Sequence, residues 1–346
     1  MIKVEDIVIN SDSDCYVIAE IGNNHQGSLA TAKELVDAAK MAGATAVKTQ
    51  RRDNRYLYTK AYYERSYDNE VSFGETYGAH REALELSNAD FSALQQYCKE
   101  VGVAFFSTAF DYHSADFLAE LDVPAYKIAS GDLKSIPLIV HIAKFGKPLF
   151  VSTGGGTLED VRRMYDAVMP INSQLCILQC TAAYPCPPEM LNLRIIETFK
   201  KEFPEATIGL SDHFNGILSA PLAYMLGARV VEKHFTLNHA MKGTDHAFSL
   251  EPSGMRKMIR DLKRTRLALG SADKVPDESE NAPLIKMGKK LVASTSLPQG
   301  HVLTQEDITF KSPGDGLPPY ELGNVLGKSL RAPLSEDENI SFEGLS

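Results

Sequence analysis

Eight short apolar runs, each ending in a polar cluster and followed by an amphipathic helical segment, recur through about the first 270 residues of this chain. They lie at 16–20, 46–50, 104–107, 125–128, 149–152, 175–179, 207–210 and 230–233. Strands separated by helices in this way pair in parallel and are buried on both faces. Eight such units in this length match a closed (β/α)8 TIM barrel. An open doubly wound sheet is the alternative, and the count of eight favours closure. The intervening helices carry their own signals. In SNADFSALQQYCKEVG the apolar residues Phe91, Leu94, Cys98 and Val101 recur at spacings of three, four and three, with Asn88 as the cap candidate and Gly102 as the stop. TAKELVDAAKMAG ends at Gly43, where a left-handed residue closes a helix.

The balance of charge narrows the function. Lys plus Arg is 36 and Asp plus Glu is 45, a net charge of −9, and there is no basic run. That speaks against nucleic acid as a partner, although a cationic pocket can sit inside an acidic total. Apolar residues are 44% and charged residues 23%, ordinary globular values. No stretch of about 20 apolar residues is present to cross a bilayer. The opening MIKVEDIVINSDSD lacks the basic head and apolar core of a signal peptide. The five cysteines form no CxxC pair and are odd in number, as for free thiols in a reducing compartment. A cytoplasmic protein is expected.

Two regions depart from the rhythm. Residues 51–88 hold six of the fourteen tyrosines and many charges; a long insertion after a barrel strand is read as a lid or substrate-contact loop. The polar stretch 271–283 ends the repeat and is read as a linker after a barrel domain of 1–270. The tail, 284–346, is read as a small second domain. Within it VASTSLPQGHVLTQEDI and LRAPLSEDENISFEGL echo each other in the spacing of apolar and acidic residues.

Polar residues at barrel strand ends converge on one mouth. Here the eight ends carry Glu20, Lys48 with Gln50, Ser107 with Thr108, Lys127 with Ser130, Ser152 before GGG, Thr181 with Tyr184, Ser211 with Asp212 and His213, and Lys233 with His234. Three lysines aimed into one cavity call for an anion. The hydroxyls of Ser130, Ser152 and Ser211 and the glycine-rich turn before a helix fit a phosphate or carboxylate. His213 and His234 follow neighbouring strands, and strand 8 closing on strand 1 brings in Glu20. Two imidazoles beside acidic Asp212 and Glu232 suit a divalent ion that keeps several waters, Mn2+ or Mg2+, better than structural zinc.

The motifs EIGNNHQG, KTQ, FFSTAFD, YKIASGD, VSTGG, QCTAAYP, GLSDH, EKHFT and KGTDHAFSLEP, in order along nearly the whole chain, resemble the sialic acid synthase family. The tail resembles that family's antifreeze-like SAF domain. The resemblance implies condensation of phosphoenolpyruvate with an N-acetylated hexosamine, such as N-acetylmannosamine, to a nine-carbon sialic acid and phosphate. It implies that Lys48, Thr108, Lys127, Ser130, Ser152 and Ser211 hold phosphoenolpyruvate. It places Gln50, Tyr184 and Asp245 near the sugar, makes Glu20 an active-site acid, and assigns His213 and His234 to a metal, with Mn2+ ahead of Mg2+ or Co2+. It also implies a domain-swapped homodimer in which an SAF arginine reaches the partner's substrate. The chain departs from the family pattern at Ala182, Asp132 and Ser312, which stand where asparagine, glutamate and that arginine are usual; Lys311 or Arg331 is the candidate substitute. Two rival functions are a Schiff-base aldolase using Lys127 or Lys233 and a carbohydrate-binding protein with an inert barrel.

Overall fold

The structure is a computed structural model describing residues 1–346. An antiparallel hairpin, β1 (Ile2–Val4) and β2 (Ile7–Ile9), precedes the repeat. Then come β3 (Tyr16–Glu20), β4 (Ala46–Arg51), β5 (Ala104–Ala109), β6 (Tyr126–Ile128), β7 (Leu149–Ser152), β8 (Leu175–Cys180), β9 (Thr207–Asp212) and β10 (Val230–His234). These eight pair in parallel in sequence order, and β10 pairs with β3 to close the barrel. Every residue of β3, β5, β8, β9 and β10 is buried, as strands covered by helices outside and side chains inside must be. Tyr16, Phe106 and Phe150 stack in the core, with centroids 6.3 and 5.4 Å apart.

The helices start and stop on local chemistry. Helix α1 (Leu29–Ala42) is capped by Ser28, whose hydroxyl accepts from Thr31 N–H, and ends on Gly43 at φ 94°. The insertion forms α2 (Asn54–Leu57), α3 (Lys60–Tyr63) and α4 (Tyr77–Leu84). The next helix, α5 (Asn88–Val101), ends on Gly102 as expected, but its cap is Ser87, one residue before the expected Asn88. The Asn88 side chain is occupied instead, accepting from Arg51. In the insertion, Tyr77 packs edge-on against Tyr58, Tyr62 and Tyr67 at 5.2, 4.8 and 5.3 Å.

The chain divides into two compact units, Met1–Gly270 and Ser271–Ser346. The segment read as a linker falls in the second unit and runs into a helix at Asn281–Met287. The second unit pairs β11 (Lys290–Ala293) with β12 (Ile308–Lys311) antiparallel over a core that includes Leu291, Leu303, Val325 and Leu345. The two echoing segments meet there. Leu297 and Leu334 exchange backbone hydrogen bonds of 2.8 and 2.9 Å, and Val292 bridges Asn339. At the position of the absent arginine, Ser312 Oγ accepts from Lys289 at 3.3 Å, while Lys311 is paired with Asp337.

Candidate active site

A cavity of about 540 Å³ opens at the carboxyl ends of the barrel strands. Glu20, Lys48, Gln50, Thr108, Lys127, Ser130, Ser152, Tyr184, Ser211, His213, His234 and Asp245 all line it. Sheet register explains much of the convergence. Glu20 pairs with His234 on one side and Lys48 on the other, Thr108 with Gln50 and Lys127, and Ser211 with Glu232.

The deep part of the cavity is a charged lattice. Lys48 is ion-paired with Glu20 and donates to Thr108 Oγ1 at 2.8 Å. Lys127 lies 3.2 Å from Glu232 Oε1, which is also 3.8 Å from Lys48. Gln50 donates to Glu20 at 3.1 Å, and Ser211 donates to Glu232 at 3.4 Å. The expectation of three cations awaiting an anion therefore needs two corrections. Lys48 and Lys127 already face carboxylates, and Lys233 is not in the cavity. Residues alternate across a strand, so Glu232 and His234 point inward and Lys233 outward, 2.7 Å from Asp212 and bonded to Phe214 O. Asp212 is drawn the same way, accepting from Ser219 at 2.5 Å, so it does not join the imidazoles. The cavity still carries an excess of cations, with Lys48, Arg52, Arg81 and Lys127 against Glu20, Glu232 and Asp245.

These environments separate the two deep carboxylates. Burial pushes Glu20 above the usual range; Lys48 opposes that and Glu232 adds to it. Burial acts on Glu232 too, but Lys127 and Lys48 outweigh it and hold it down at about 2. Burial lowers Lys127, with Glu232 opposing.

The hydroxyls differ. Ser130 Oγ accepts from Gly154 N–H at 3.0 Å, and Gly156 N–H is bonded to Thr153 O, so two of the three N–H groups of the GGG turn serve the turn itself. The glycine at 154 is required by crowding, since a Cβ would lie 2.8 Å from Ser130 Oγ. Ser152 Oγ, by contrast, is buried with no partner. A buried hydroxyl left unpaired beside a cavity marks a ligand position.

The imidazoles of His213 and His234 lie 5.4 Å apart, centroid to centroid. His213 Nδ1 is 2.8 Å from Thr181 O, a carbonyl that can only accept, so Nδ1 is the donor and Nε2 is the nitrogen left for a ligand. His234 Nδ1 is buried without a hydrogen-bond partner, and burial lowers its pKa against the pull of Asp245. Two imidazoles facing one cavity fit a divalent ion. No cluster of three or more His, Cys, Asp or Glu surrounds them, so the fit is to an ion that retains water ligands. Tyr184 covers His213 at 4.1 Å and Phe248 covers His234 at 4.9 Å.

Three charged lining residues fall outside the sequence expectation: Glu232 as a lysine partner, and Arg52 and Arg81. Strand parity from His234 would have found Glu232. The arginines belong to the insertion, which the sequence marks only as a contact region.

Family models match the NeuB family over residues 35–274 and the SAF domain over 290–346. The chain belongs to the NeuB family. It is similar to N-acetylneuraminate-9-phosphate synthase of Homo sapiens, 38% identical over 97% of this chain and 94% of that one. It is also similar to N,N'-diacetyllegionaminic acid synthase of Legionella pneumophila, 36% identical over 96% of this chain and 95% of that one. Among solved structures, the N-acetylneuraminic acid synthetase of Leptospira borgpetersenii in complex with citrate superposes with a TM-score of 0.72 at 30% identity, covering 82% of this chain and 94% of that one. This NeuB-family chain is thus an enzyme of the sialic acid synthase class, a closed barrel followed by an SAF domain. No helix is long and apolar enough to cross a membrane.

Proposed function

We propose that the enzyme condenses phosphoenolpyruvate with an N-acetylated hexosamine to give a nine-carbon 2-keto acid sugar and inorganic phosphate. The observation that carries this reading is the meeting of all twelve family-matched residues in one cavity. Lys48, Lys127, Thr108, Ser130, Ser152 and Ser211 bind the phosphorylated acid, with Ser152 Oγ donating to it. Gln50, Tyr184 and Asp245 orient the sugar. The enol C3 of phosphoenolpyruvate forms a carbon–carbon bond to the sugar's C1, and the C1 carbonyl oxygen takes up a proton. Water adds its oxygen to C2 and gives one proton to Glu20, replacing the one Glu20 supplied to the C1 oxygen; the C2–O bond to phosphate then breaks, and the water's second proton leaves with phosphate as C2 becomes a ketone. Glu20 suits that role because burial raises its proton affinity. His213 and His234 would hold a divalent ion, Mn2+ in first place, which when bound supplies Lewis acidity at the sugar carbonyl.

In this reading the chain acts as a domain-swapped homodimer. The SAF domain, with Lys311 or Arg331 serving where Ser312 replaces the arginine, completes a partner's cavity. A variant lacking 284–346, mixed with full-length chains carrying His213→Ala and His234→Ala, recovers activity in a verified mixed dimer if the tail acts in trans; no recovery removes that arrangement. Phosphate release and product mass, with phosphoenolpyruvate and a panel of amino sugars, test the reaction. Loss of activity on chelation and its return with Mn2+ test the metal. Borohydride inactivation in the presence of substrate would instead favour a Schiff base on Lys127, whose burial lowers its pKa.

A further inference from the structure

The geometry points to Arg52 and Glu85 as positioning residues for Glu20: together they fix the amide of Gln50 so that its N–H, and not its carbonyl, meets that acid. The inference rests on the condensation proposed above, with Glu20 as its proton carrier. Successive inward positions at the end of β4 are 48, 50 and 52, and Lys48, Gln50 and Arg52 all line the cavity. Arg52 stands one residue past the strand, where the insertion begins, and Glu85 caps α4 near the insertion's other end. Their side chains meet at 3.2 Å and are only 5% and 9% exposed. Glu85 also accepts from the Arg52 backbone N–H at 3.4 Å, so it grips both main chain and guanidinium. The Phe110 ring, its centroid 4.0 Å from the guanidinium carbon, sets the plane of the fork.

With Nη1 on Glu85, the other terminal nitrogen, Nη2, donates to Gln50 Oε1. A guanidinium offers donors only, so the amide atom it holds must be the oxygen. The Gln50 Nε2 group is thereby turned the other way, where it donates to Glu20 Oε1 at 3.1 Å. Gly22 N–H donates to the same oxygen at 2.9 Å. Oε1 thus carries two fixed N–H donors, and Oε2, ion-paired with Lys48, is the oxygen left to carry a proton. A flipped amide would set oxygen against oxygen at Glu20 and N–H against N–H at Arg52. Without the arginine, half of that penalty disappears and the amide no longer has one orientation. Arg52 makes no ion pair or hydrogen bond with Glu20, so its influence passes through Gln50. The relay Glu85–Arg52–Gln50–Glu20 therefore ties the insertion to the acid at the cavity floor.

The test is a double-mutant cycle on the full chain, reading kcat and KM separately. It uses phosphoenolpyruvate with whichever of N-acetylmannosamine, its 6-phosphate or a 6-deoxy diacetamido hexose turns over fastest. Arg52→Met is expected to lower kcat by about 20-fold, the scale of one charge-assisted hydrogen bond, with KM for phosphoenolpyruvate within about twofold of the wild type. Gln50→Met should cost at least as much. Arg52→Met/Gln50→Met should then cost no more than Gln50→Met alone, because the arginine acts only through the amide. Arg52→Lys keeps the charge but has no fork to hold Glu85 and Gln50 together, so it should recover only part of kcat. Full kcat in Arg52→Met or Arg52→Lys, or losses that multiply in full in the double variant, overturns the inference. Removing Arg52 strands Glu85, so Arg52→Met/Glu85→Met is made alongside and decides in the same way if the single variant does not fold; Arg52→Lys decides if neither does. Failure of the condensation itself shows as no carbon–carbon product from the wild type with any of the three sugars, and the amide is then read without turnover. In protein with glutamine isotopically labelled at nitrogen, the Gln50 side-chain signal is assigned by its loss in Gln50→Met. Its hydrogens should exchange with water at least about tenfold more slowly in the wild type than in the folded arginine variant; equal exchange counts against the inference.

Discussion

Replacing Glu232 by glutamine tests whether the cavity floor is a balanced charge lattice. The carboxylate is buried, 3.2 Å from Lys127 and 3.8 Å from Lys48. At an effective dielectric constant near 20, those separations correspond to gross attractions of about 5 and about 4 kcal/mol. Most of that offsets the cost of drying the three groups. Removing one partner from a buried pair costs about 3–5 kcal/mol net, because the other charge stays behind. A glutamine oxygen still accepts from Lys127, so the loss belongs at the low end, about 3 kcal/mol. For a domain of this size, roughly 2–4 °C are lost per kcal/mol, so Tm should fall by roughly 6–12 °C. The variant's floor then has one cation in excess, which an anionic ligand neutralises. Phosphoenolpyruvate should therefore raise the Tm of Glu232→Gln by more than it raises that of the wild type. Thermal melts followed by circular dichroism, with and without phosphoenolpyruvate, read both effects. Glu159→Gln serves as control, since that glutamate is in a solvent-exposed pair with Arg163 and should shift stability by less than about 1 kcal/mol. A Tm for Glu232→Gln within about 2 °C of the wild type, or a ligand shift no larger than the wild type's, would refute the reasoning.

Three further outcomes follow from individual side chains. Ser152→Ala removes a buried hydroxyl that bonds nothing in the protein, so Tm should hold or rise while kcat/KM for phosphoenolpyruvate falls by about tenfold. Lys127→Met and Lys233→Met should diverge: the first should raise the KM for phosphoenolpyruvate by at least about 30-fold, while the second strands Asp212 and should cost about 3–5 kcal/mol of stability with little change in KM. Burial pushes Asp132 up to about 6, so the stability tied to its protonated form is complete below the ordinary carboxylate range and is lost as pH rises through about 6. Asp132→Asn should then melt higher than the wild type at pH 7.5 by about 1–2 kcal/mol, discounted for partial exposure, and gain nothing near pH 3.5; equal gains at both pH values would count against it.

The barrel was legible because its strands announce themselves twice, by apolar runs and by the helices that separate them. The runs at 16–20 and 149–152 coincide with β3 and β7 to the residue, and the others differ by one or two residues at an end. The N-terminal hairpin was not legible, since its strands of three residues each are too short for periodicity to register. Ile2, Val4 and Ile9 are nonetheless buried in the core. The echo in the tail was visible as spacing, but only the paired backbones of Leu297 and Leu334 give it a structural meaning.

The two corrections at the site have one physical source: successive residues of a strand face opposite ways, which position along the chain alone does not express. Once His234 is placed inward, a period of two puts Glu232 inward and Lys233 outward, and no further information is needed. The same parity on β9 turns Ser211 and His213 toward the cavity and Asp212 toward Lys233. One rule therefore corrects the lysine count and finds the missing carboxylate. It does not reach Arg81, because a residue on an insertion helix inherits no register from the barrel. Its position depends on how the tyrosines of 51–88 pack together, which spacing in the sequence does not encode. The deep half of the cavity, which strands build, is thus readable from sequence with parity applied, whereas the outer half requires the structure. Arg81 lies in that outer half, on the insertion, which can change without disturbing the barrel.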